Sequence, residues 1–207
     1  MPAFTRKKLA EAQFFLDRLE GAATNSDHFY YNISAFLSAW RSTLDIMLYD
    51  FAEMFPLGFT REDDLKMRDF KVAARAAQNT EAIRFINWWD NKQSSLGSTP
   101  LWKKRNINVH RGAVGLSQQQ FTVLVTGSGG TSSTISVHTG GYAVSTPNAG
   151  SSAVSTPNVS TPSSGAVSNI WHFDDLPNDN AIDICRQAYE QMEDIVEEAE
   201  NAFNVTL

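Results

Sequence analysis

Apolar residues recur at intervals of three and four over the first half of the chain, the spacing that places them on one face of a helix. The first such stretch runs over residues 4–19 and is expected to stop at Gly21. A long second helix is expected to begin at a cap formed by Ser26 or Asp27 and to end before Pro56. Its apolar stripe consists of Tyr30, Ile33, Phe36, Leu37, Trp40, Leu44, Met47, Leu48 and Phe51.

The pattern continues with weaker helical stretches up to the middle of the chain. A third helix is predicted over residues 61–77, and Asn79 or Thr80 is expected to start a fourth that reaches Trp89. After a break at 94–99, a proline follows Thr99, and proline is typical of the first position of a helix. The backbone N–H that proline lacks would have no hydrogen-bond partner within the helix at that position. This last short helix is expected to end at Gly112.

The C-terminal end returns to helical periodicity. Residues 178–203 form an amphipathic stretch with carboxylates opposite an apolar stripe. Because an isolated helix of this length is marginally stable, the stripe is expected to dock on the N-terminal helices. The stripe consists of Ile184, Ala188, Met192, Ile195, Ala199 and Ala202.

Between these helical parts the composition changes. Residues 121–125 and 135–138 have strand composition and predict a β-hairpin. Ser, Thr, Gly, Pro and Asn make up 31 of the 43 residues from Thr126 to Ser168. The segment 143–148 recurs as 153–158, which is too short an array for a solenoid and indicates a low-complexity loop. The sequence thus predicts a mainly α fold, with a bundle of four to five helices (1–112 and 170–207) and a β-prone insert (113–169) before the C-terminal helix.

Charge is distributed unevenly along the chain. Lysines and arginines exceed acids by three over residues 1–111, whereas acids exceed bases by nine over residues 174–207, and residues 112–173 hold no formal charge. The net charge of −6 argues against a protein that coats nucleic acid nonspecifically. The net charge is still compatible with a locally basic site within residues 1–111. The acidic C-terminal helix and the basic stretch 105–111 are expected to be electrostatically linked.

The N-terminal segment and the cysteine content predict the cellular compartment and whether the chain spans a membrane. The basic N-terminus leads into an amphipathic helix instead of an apolar run, so neither a secretory signal nor a membrane span is expected. The lone cysteine, Cys185, precludes a disulfide within the chain and is expected to be a buried thiol. A cytoplasmic protein is predicted.

Candidate chemistry is confined to residues 103–111. The sequence holds neither a metal-ligand cluster nor a phosphate-binding glycine loop, so no metal or cofactor is expected. On a helix Trp102, Asn106 and His110 lie one turn apart, so that Asn106 can orient the His110 ring. Histidine suits acid–base catalysis near neutrality, and Arg105 carries a permanent charge that suits phosphate. Together they are a minimal set for cleaving RNA without a metal.

Simpler interpretations of these residues stay open. A lysine- and arginine-rich turn is usually a solvated face, and a histidine one turn before a glycine is often a C-terminal cap. On the long helix Arg41 and Asp45 are four residues apart and either pair with each other or support the Arg105 and His110 site. Trp88, Trp89 and Trp102 either stack bases or belong to the core or a dimer interface.

The motif Arg105-Asn106-x3-His110, placed after three helices, resembles the signature of the HEPN superfamily, in which Arg and a polar residue precede His on a late helix. The second helix (30–42), Trp171-x-Phe173 and the acidic last helix are similar to uncharacterised bacterial HEPN-like proteins. The resemblance covers about residues 5–112 and 170–204.

The resemblance implies an up-down helical bundle and a metal-independent endoribonuclease acting on single-stranded RNA. Two copies of the motif would meet across a homodimer interface, with Arg105, Asn106 and His110 catalytic. The neighbouring Lys103, Lys104 and Arg111 would contact RNA phosphates. Toxin or defence roles, with a protein partner or antitoxin, also occur in this superfamily. Gly112 departs from toxin members that carry Tyr two residues after the His. The alternative is a non-catalytic HEPN-like module that binds a nucleotide, RNA or a partner protein.

Overall fold

The computed structural model describes residues 4–102, 104, 115–123, 135–141 and 167–205. Five helices have defined bounds: α1 (Phe4–Gly21), α2 (Ser26–Met54), α3 (Met67–Ala76), α4 (Thr80–Gly97) and α5 (Ala181–Phe203). Four strands accompany them: β1 (Leu116–Val123), β2 (Ile135–Gly141), β3 (Val167–Phe173) and β4 (Leu176–Asn180). The chain divides into two compact units, one of residues 1–114 with 182–207 and one of residues 115–181. The predicted mainly helical fold is confirmed, and the structure adds a small antiparallel sheet where a β-hairpin was predicted.

The first two helices follow the periodicity of the sequence, and α2 differs from the prediction only at its cap. The carboxamide oxygen of Asn25 accepts the backbone N–H of His28 at 3.0 Å. Asn25 has an extended backbone, which is the conformation of an N-cap residue. The prediction of Ser26 or Asp27 as the cap was therefore wrong, because three consecutive residues here have cap-forming side chains.

The third helix is shorter than predicted, because a turn occupies residues 60–65. The Asp63 carboxylate accepts the backbone N–H of Thr60 at 2.7 Å. The Tyr49 hydroxyl donates to the Asp63 carbonyl at 2.7 Å and accepts the N–H of Leu65 at 3.0 Å. Since these groups satisfy the backbone in a non-helical conformation, the helix expected from residue 61 begins at residue 67.

The start of α4 is confirmed, and the helix ends inside the predicted break at 94–99. Asn79 caps the helix by accepting the backbone N–H of Ala82 at 3.0 Å. The Ser94 hydroxyl donates to the carbonyl of Asp90, one turn earlier, at 2.8 Å. Ser94 therefore stays inside the helix, which continues to Gly97. Residues 100–102 and 104 are helical again, as the Thr99-Pro100 pair predicted.

Helices α1, α2, α4 and α5 of the first unit alternate in direction. Each helix direction relative to α5 follows from two contacts near its ends: Arg6–Glu200 and Glu20–Arg186 for α1, Trp40–Ala188 and Phe51–Phe203 for α2, and Arg84–Ala202 and Lys92–Glu198 for α4. Thus α1 and α4 run antiparallel to α5, whereas α2 runs parallel to it. The docking of the C-terminal stripe on the N-terminal helices is confirmed, with Ala188, Met192, Ile195 and Ala199 buried.

One end of this bundle is filled by an aromatic cluster. Phe51 and Phe85 stack with ring centroids 4.0 Å apart, and both are fully buried. Phe70 and Phe203 meet Phe85 at 5.5 and 5.7 Å. We call Phe51, Phe55, Phe70, Phe85 and Phe203 the aromatic cluster. It joins α2, α3, α4 and α5, and every member is an apolar ring.

The second unit is a four-stranded sheet in the order β2-β1-β3-β4. β1 pairs antiparallel with both neighbours, and its pairing with β2 confirms the predicted hairpin, although β1 begins at residue 116 and not at residue 121. β3 and β4 were not predicted. The helix expected from residue 178 begins at residue 181, because residues 176–180 form the strand that pairs with β3. The turn at 127–130 and the repeats at 143–158 lie outside the described residues.

Among the helices that the structure describes, none combines the length and the apolar character needed to cross a membrane.

Candidate functional site

The residues of the predicted catalytic motif lie outside the described residues. This applies to Arg105, Asn106 and His110, and also to Lys103 and Arg111. Their geometry therefore stays a prediction. The described residues instead define what precedes the motif, namely the helical residues 100–102 and 104 and the helices around them.

Lys104 belongs to the predicted phosphate-binding group and is buried, with 4% of its surface exposed. Burial of an ammonium away from solvent is unfavourable without compensating contacts. A side chain in this position does not reach an RNA backbone unless the surrounding chain moves. The placement of Lys104 thus gives no support to a phosphate contact, and that role stays a prediction.

Arg41 connects α2 to the helical residues that precede the motif. Its guanidinium carbon lies 4.1 Å from the centroid of the Trp102 ring, and its Nη1 donates to the Asp45 carboxylate at 3.0 Å. The Arg41 side chain is 16% exposed, whereas that of Asp45 is 51% exposed. The predicted pairing of Arg41 with Asp45 is confirmed. The contact with Trp102 shows in addition that this arginine lies next to the start of the candidate site.

Trp40 adds a second contact to the same ring and extends the connection to α5. Its ring meets Trp102 edge-on, with centroids 6.2 Å apart and an interplanar angle of 84°. The fully buried indole N–H of Trp40 donates to the carbonyl of Ala188 at 2.8 Å. Trp40, Arg41, Asp45 and Trp102 are called the tryptophan clamp from here on. The clamp brings α2, α5 and residues 100–102 together.

Trp88 and Trp89 belong to the bundle. Trp89 is 4% exposed, so its ring faces are not open to a base. Trp88 stacks on Phe85 at 5.8 Å and donates its indole N–H to the Glu198 carboxylate at 2.9 Å. One side of Trp102 is covered by Arg41. The expectation of core packing is confirmed for Trp89, and base stacking by these residues has no support in the described contacts.

The acidic residues of α5 are bound by cations of α1 and α4. Glu200 accepts from Arg6, and these hydrogen bonds together with the negative charge raise the pKa of that guanidinium. Glu198 accepts from Lys92 and Trp88, and these hydrogen bonds lower the pKa of its carboxyl. An electrostatic link between α5 and the basic stretch 105–111 stays a prediction, since that stretch lies outside the described residues.

Cys185 and His172 are both buried, and their surroundings indicate structural roles. Cys185 is fully buried, and desolvation raises the pKa of its thiol far above its usual value, so the predicted inert thiol is confirmed. His172 is 6% exposed, and its Nδ1 lies 3.0 Å from the Asp179 carbonyl. In the part of the chain that the structure describes, no group of three or more His, Cys, Asp or Glu is arranged to hold a metal ion.

The tryptophan clamp was only half visible in the sequence. The spacing of Arg41 and Asp45 predicted their pairing, but Trp102 lies 61 positions after Arg41, and no local pattern connects the two. The signal that points to it is an arginine within an otherwise apolar helical stripe, since such a residue must find both a counter-charge and a place for its stem.

Comparisons of this chain with models of protein families, with curated proteins and with solved structures found no match.

Proposed function

We propose that this chain is a metal-independent endoribonuclease of the HEPN type, which cleaves single-stranded RNA through a composite site formed by two copies of the chain. His110 acts as the general acid–base, which accepts the proton of the ribose 2′-hydroxyl. Arg105 stabilises the charge that develops at the phosphorus centre, and Asn106 orients the His110 ring. Lys103 and Arg111 contact the flanking phosphates.

The observation that supports this proposal best is the tryptophan clamp. Catalysis by a histidine and an arginine requires that both be held in a fixed geometry relative to the scissile bond. Trp102 precedes Arg105 by three residues, and its ring is contacted by the Arg41 guanidinium and by the nearly perpendicular ring of Trp40. A tether of this kind directly before the motif is what an active site needs. A solvated basic face would not require it.

The test is cleavage of a fluorescently labelled single-stranded RNA by the purified chain in excess EDTA. We expect cleavage by the unaltered chain and loss of cleavage in His110→Ala and in Arg105→Ala. The matched control is His28→Ala, because His28 is exposed on α2 and only its backbone N–H is bonded to the Asn25 cap. Cleavage by His110→Ala at the rate of the unaltered chain would overturn the proposal.

The second candidate is a non-catalytic module that binds RNA, a nucleotide or a partner protein. The burial of Lys104 weakens the case for the nuclease, because one of the expected contacts with RNA phosphates has no support. Filter binding of the same RNA separates the two functions. Saturable binding without cleavage in EDTA or in Mg²⁺ would support the module and exclude the nuclease.

A further inference from the structure

The tryptophan clamp is built from contacts between parts of the chain that are far apart in sequence. Trp40 and Arg41 are adjacent on α2, and both contact the Trp102 ring. The same Trp40 is hydrogen-bonded to Ala188 in the middle of α5. A displacement of either helix is therefore transmitted to the ring of Trp102.

Arg41 is constrained more strongly than an ordinary surface arginine. Its side chain is 16% exposed, and its guanidinium has both an aromatic face and a carboxylate as partners. A guanidinium over an indole face is attracted by the ring quadrupole, and this attraction strengthens as water is excluded. Arg41 also fixes the ring in orientation, because a planar guanidinium stacks in few ways.

The described contacts at residues 100–102 are made largely by side chains. The Trp102 N–H bonds to the Thr99 carbonyl at 3.3 Å, which is a long hydrogen bond. These residues follow a break at Ser98 and Thr99, where α4 has ended. Leu101 is buried, with 1% of its surface exposed, and Trp102 is held by Arg41, so side-chain contacts fix these residues against α2.

We infer that the tryptophan clamp is a positioning device, in which Arg41 and Trp40 hold Trp102 so that the segment leading into Arg105 has one orientation relative to α2 and α5. Arg41 and Trp102 are thus positioning residues and touch no substrate. The consequence for cleavage rests on the proposed function, whereas the consequence for residues 99–104 does not.

The first measurement is amide hydrogen exchange, read by mass spectrometry on peptides that cover residues 99–104. Arg41→Met keeps the length of the stem and removes both the charge and the stacking fork. We expect faster exchange of these amides in Arg41→Met and a return towards the original rate in Arg41→Lys, which restores the cation. Unchanged exchange in Arg41→Met would overturn the inference, whether or not the chain cleaves RNA.

A matched control exists on α1. The Arg18 guanidinium carbon lies 4.2 Å from the centroid of Phe14, nearly the same distance as in the clamp, but Arg18 is exposed. Arg18→Met removes the same charge and the same type of contact. We expect it to leave exchange at residues 99–104 unchanged. Equal acceleration in both variants would show a general effect of charge and would overturn the inference.

The second measurement is the steady-state rate of RNA cleavage. In Arg41→Met we expect kcat to fall by on the order of 10- to 100-fold with KM nearly unchanged, because the reacting groups are misplaced while the phosphate contacts remain. Arg41→Lys is expected to regain part of kcat. If Arg41→Met exchanges faster and cleaves with an unchanged kcat, the positioning role is excluded. If the unaltered chain does not cleave, the proposed function fails and the exchange measurement alone decides on the clamp.

Discussion

The aromatic cluster and the tryptophan clamp lie on the same helix, α2, and fix its neighbours in different ways. Phe51 contacts Phe85 and Phe203 through their rings alone. Trp40 and Arg41, about three turns earlier, combine an indole N–H, a guanidinium and an edge-on ring contact. The side chains of the aromatic cluster have no polar atom that needs a hydrogen-bond partner, whereas each side chain of the tryptophan clamp has at least one.

This difference shows that α2 stabilises the fold through one set of residues and fixes the orientation of a neighbouring segment through another. Apolar rings contribute free energy in proportion to the area they bury, and they tolerate small rotations. Hydrogen bonds and cation–π contacts contribute less, but they are directional and specify one arrangement. We therefore expect substitutions in the cluster to change stability and substitutions in the clamp to change geometry.

Phe85→Ala is the most severe test of this comparison. The Phe85 side chain is fully buried and contacts the rings of Phe51, Phe70 and Phe203. Its loss removes buried apolar area and leaves a cavity, so the free energy of unfolding should fall by about 3–5 kcal/mol. Urea denaturation measures this fall. A loss no larger than that of Arg41→Met would break the comparison.

Asp50→Asn tests whether the polar contacts of Asp50, near the aromatic cluster, contribute more to the free energy of unfolding than the Arg41–Asp45 ion pair of the tryptophan clamp. The Asp50 side chain is 8% exposed, accepts the N–H and hydroxyl of Thr5 at 2.9 and 2.5 Å, and is bound by Arg61. Loss of its charge should cost about 1.5–3 kcal/mol in urea denaturation. Asp45→Asn is the control, since an exposed ion pair contributes at most about 1 kcal/mol. Equal losses of stability in Asp50→Asn and Asp45→Asn would mean that burial does not make the Asp50 contacts more stabilising than the Asp45 ion pair.

Glu198→Gln is the mildest test and gives a pH dependence. Glu198 accepts from Trp88 and Lys92, and its carboxyl pKa is lowered in the folded chain. Its stabilisation is therefore present above the usual pKa of a glutamate and is lost as the pH falls through the lower, folded-state pKa. At about pH 7 the unaltered chain should be more stable than Glu198→Gln by about 0.5 kcal/mol, because the pair is half exposed.

Thermal melts at about pH 7 and about pH 3 provide the check, since the difference between the two chains should vanish at the lower pH. Glu190→Gln, at an exposed position of the same helix, is the control and should give no such pattern. A difference that persisted at the lower pH would contradict the assignment.

Helices could be predicted from this sequence wherever the apolar stripe was long. The periodicity located α1, α2 and α5 because each buries one continuous face. It failed at 61–66, where Tyr49 holds the backbone in a turn from a distant position. It also failed at β3, whose partner β1 begins Leu116-Ser-Gln-Gln with little strand composition, and at β4, which pairs with β3.

The candidate site could be predicted only in part, for a related reason. The spacing of Arg41 and Asp45 is a local signal, and their pairing was predictable from it. The contact of Arg41 with Trp102 depends on how α2 meets a segment 61 residues later, and no single-sequence pattern encodes that. The burial of Lys104 was not predictable either, because its neighbours Lys103 and Arg105 suggest a solvated face.

The register of the sheet sets a minimum contour length for the repeats. Gly141 at the end of β2 pairs with Ser117, whereas Val167 at the start of β3 pairs with Thr122, near the opposite end of β1. The two strand ends that residues 142–166 connect are therefore roughly 20 Å apart. These 25 residues extend to at most about 80–90 Å. One ten-residue repeat is geometrically dispensable, since the remaining chain still reaches about 50 Å. Loss of two would leave five residues, which reach only about 17 Å, so slippage between the repeats can shorten this connection once but not twice.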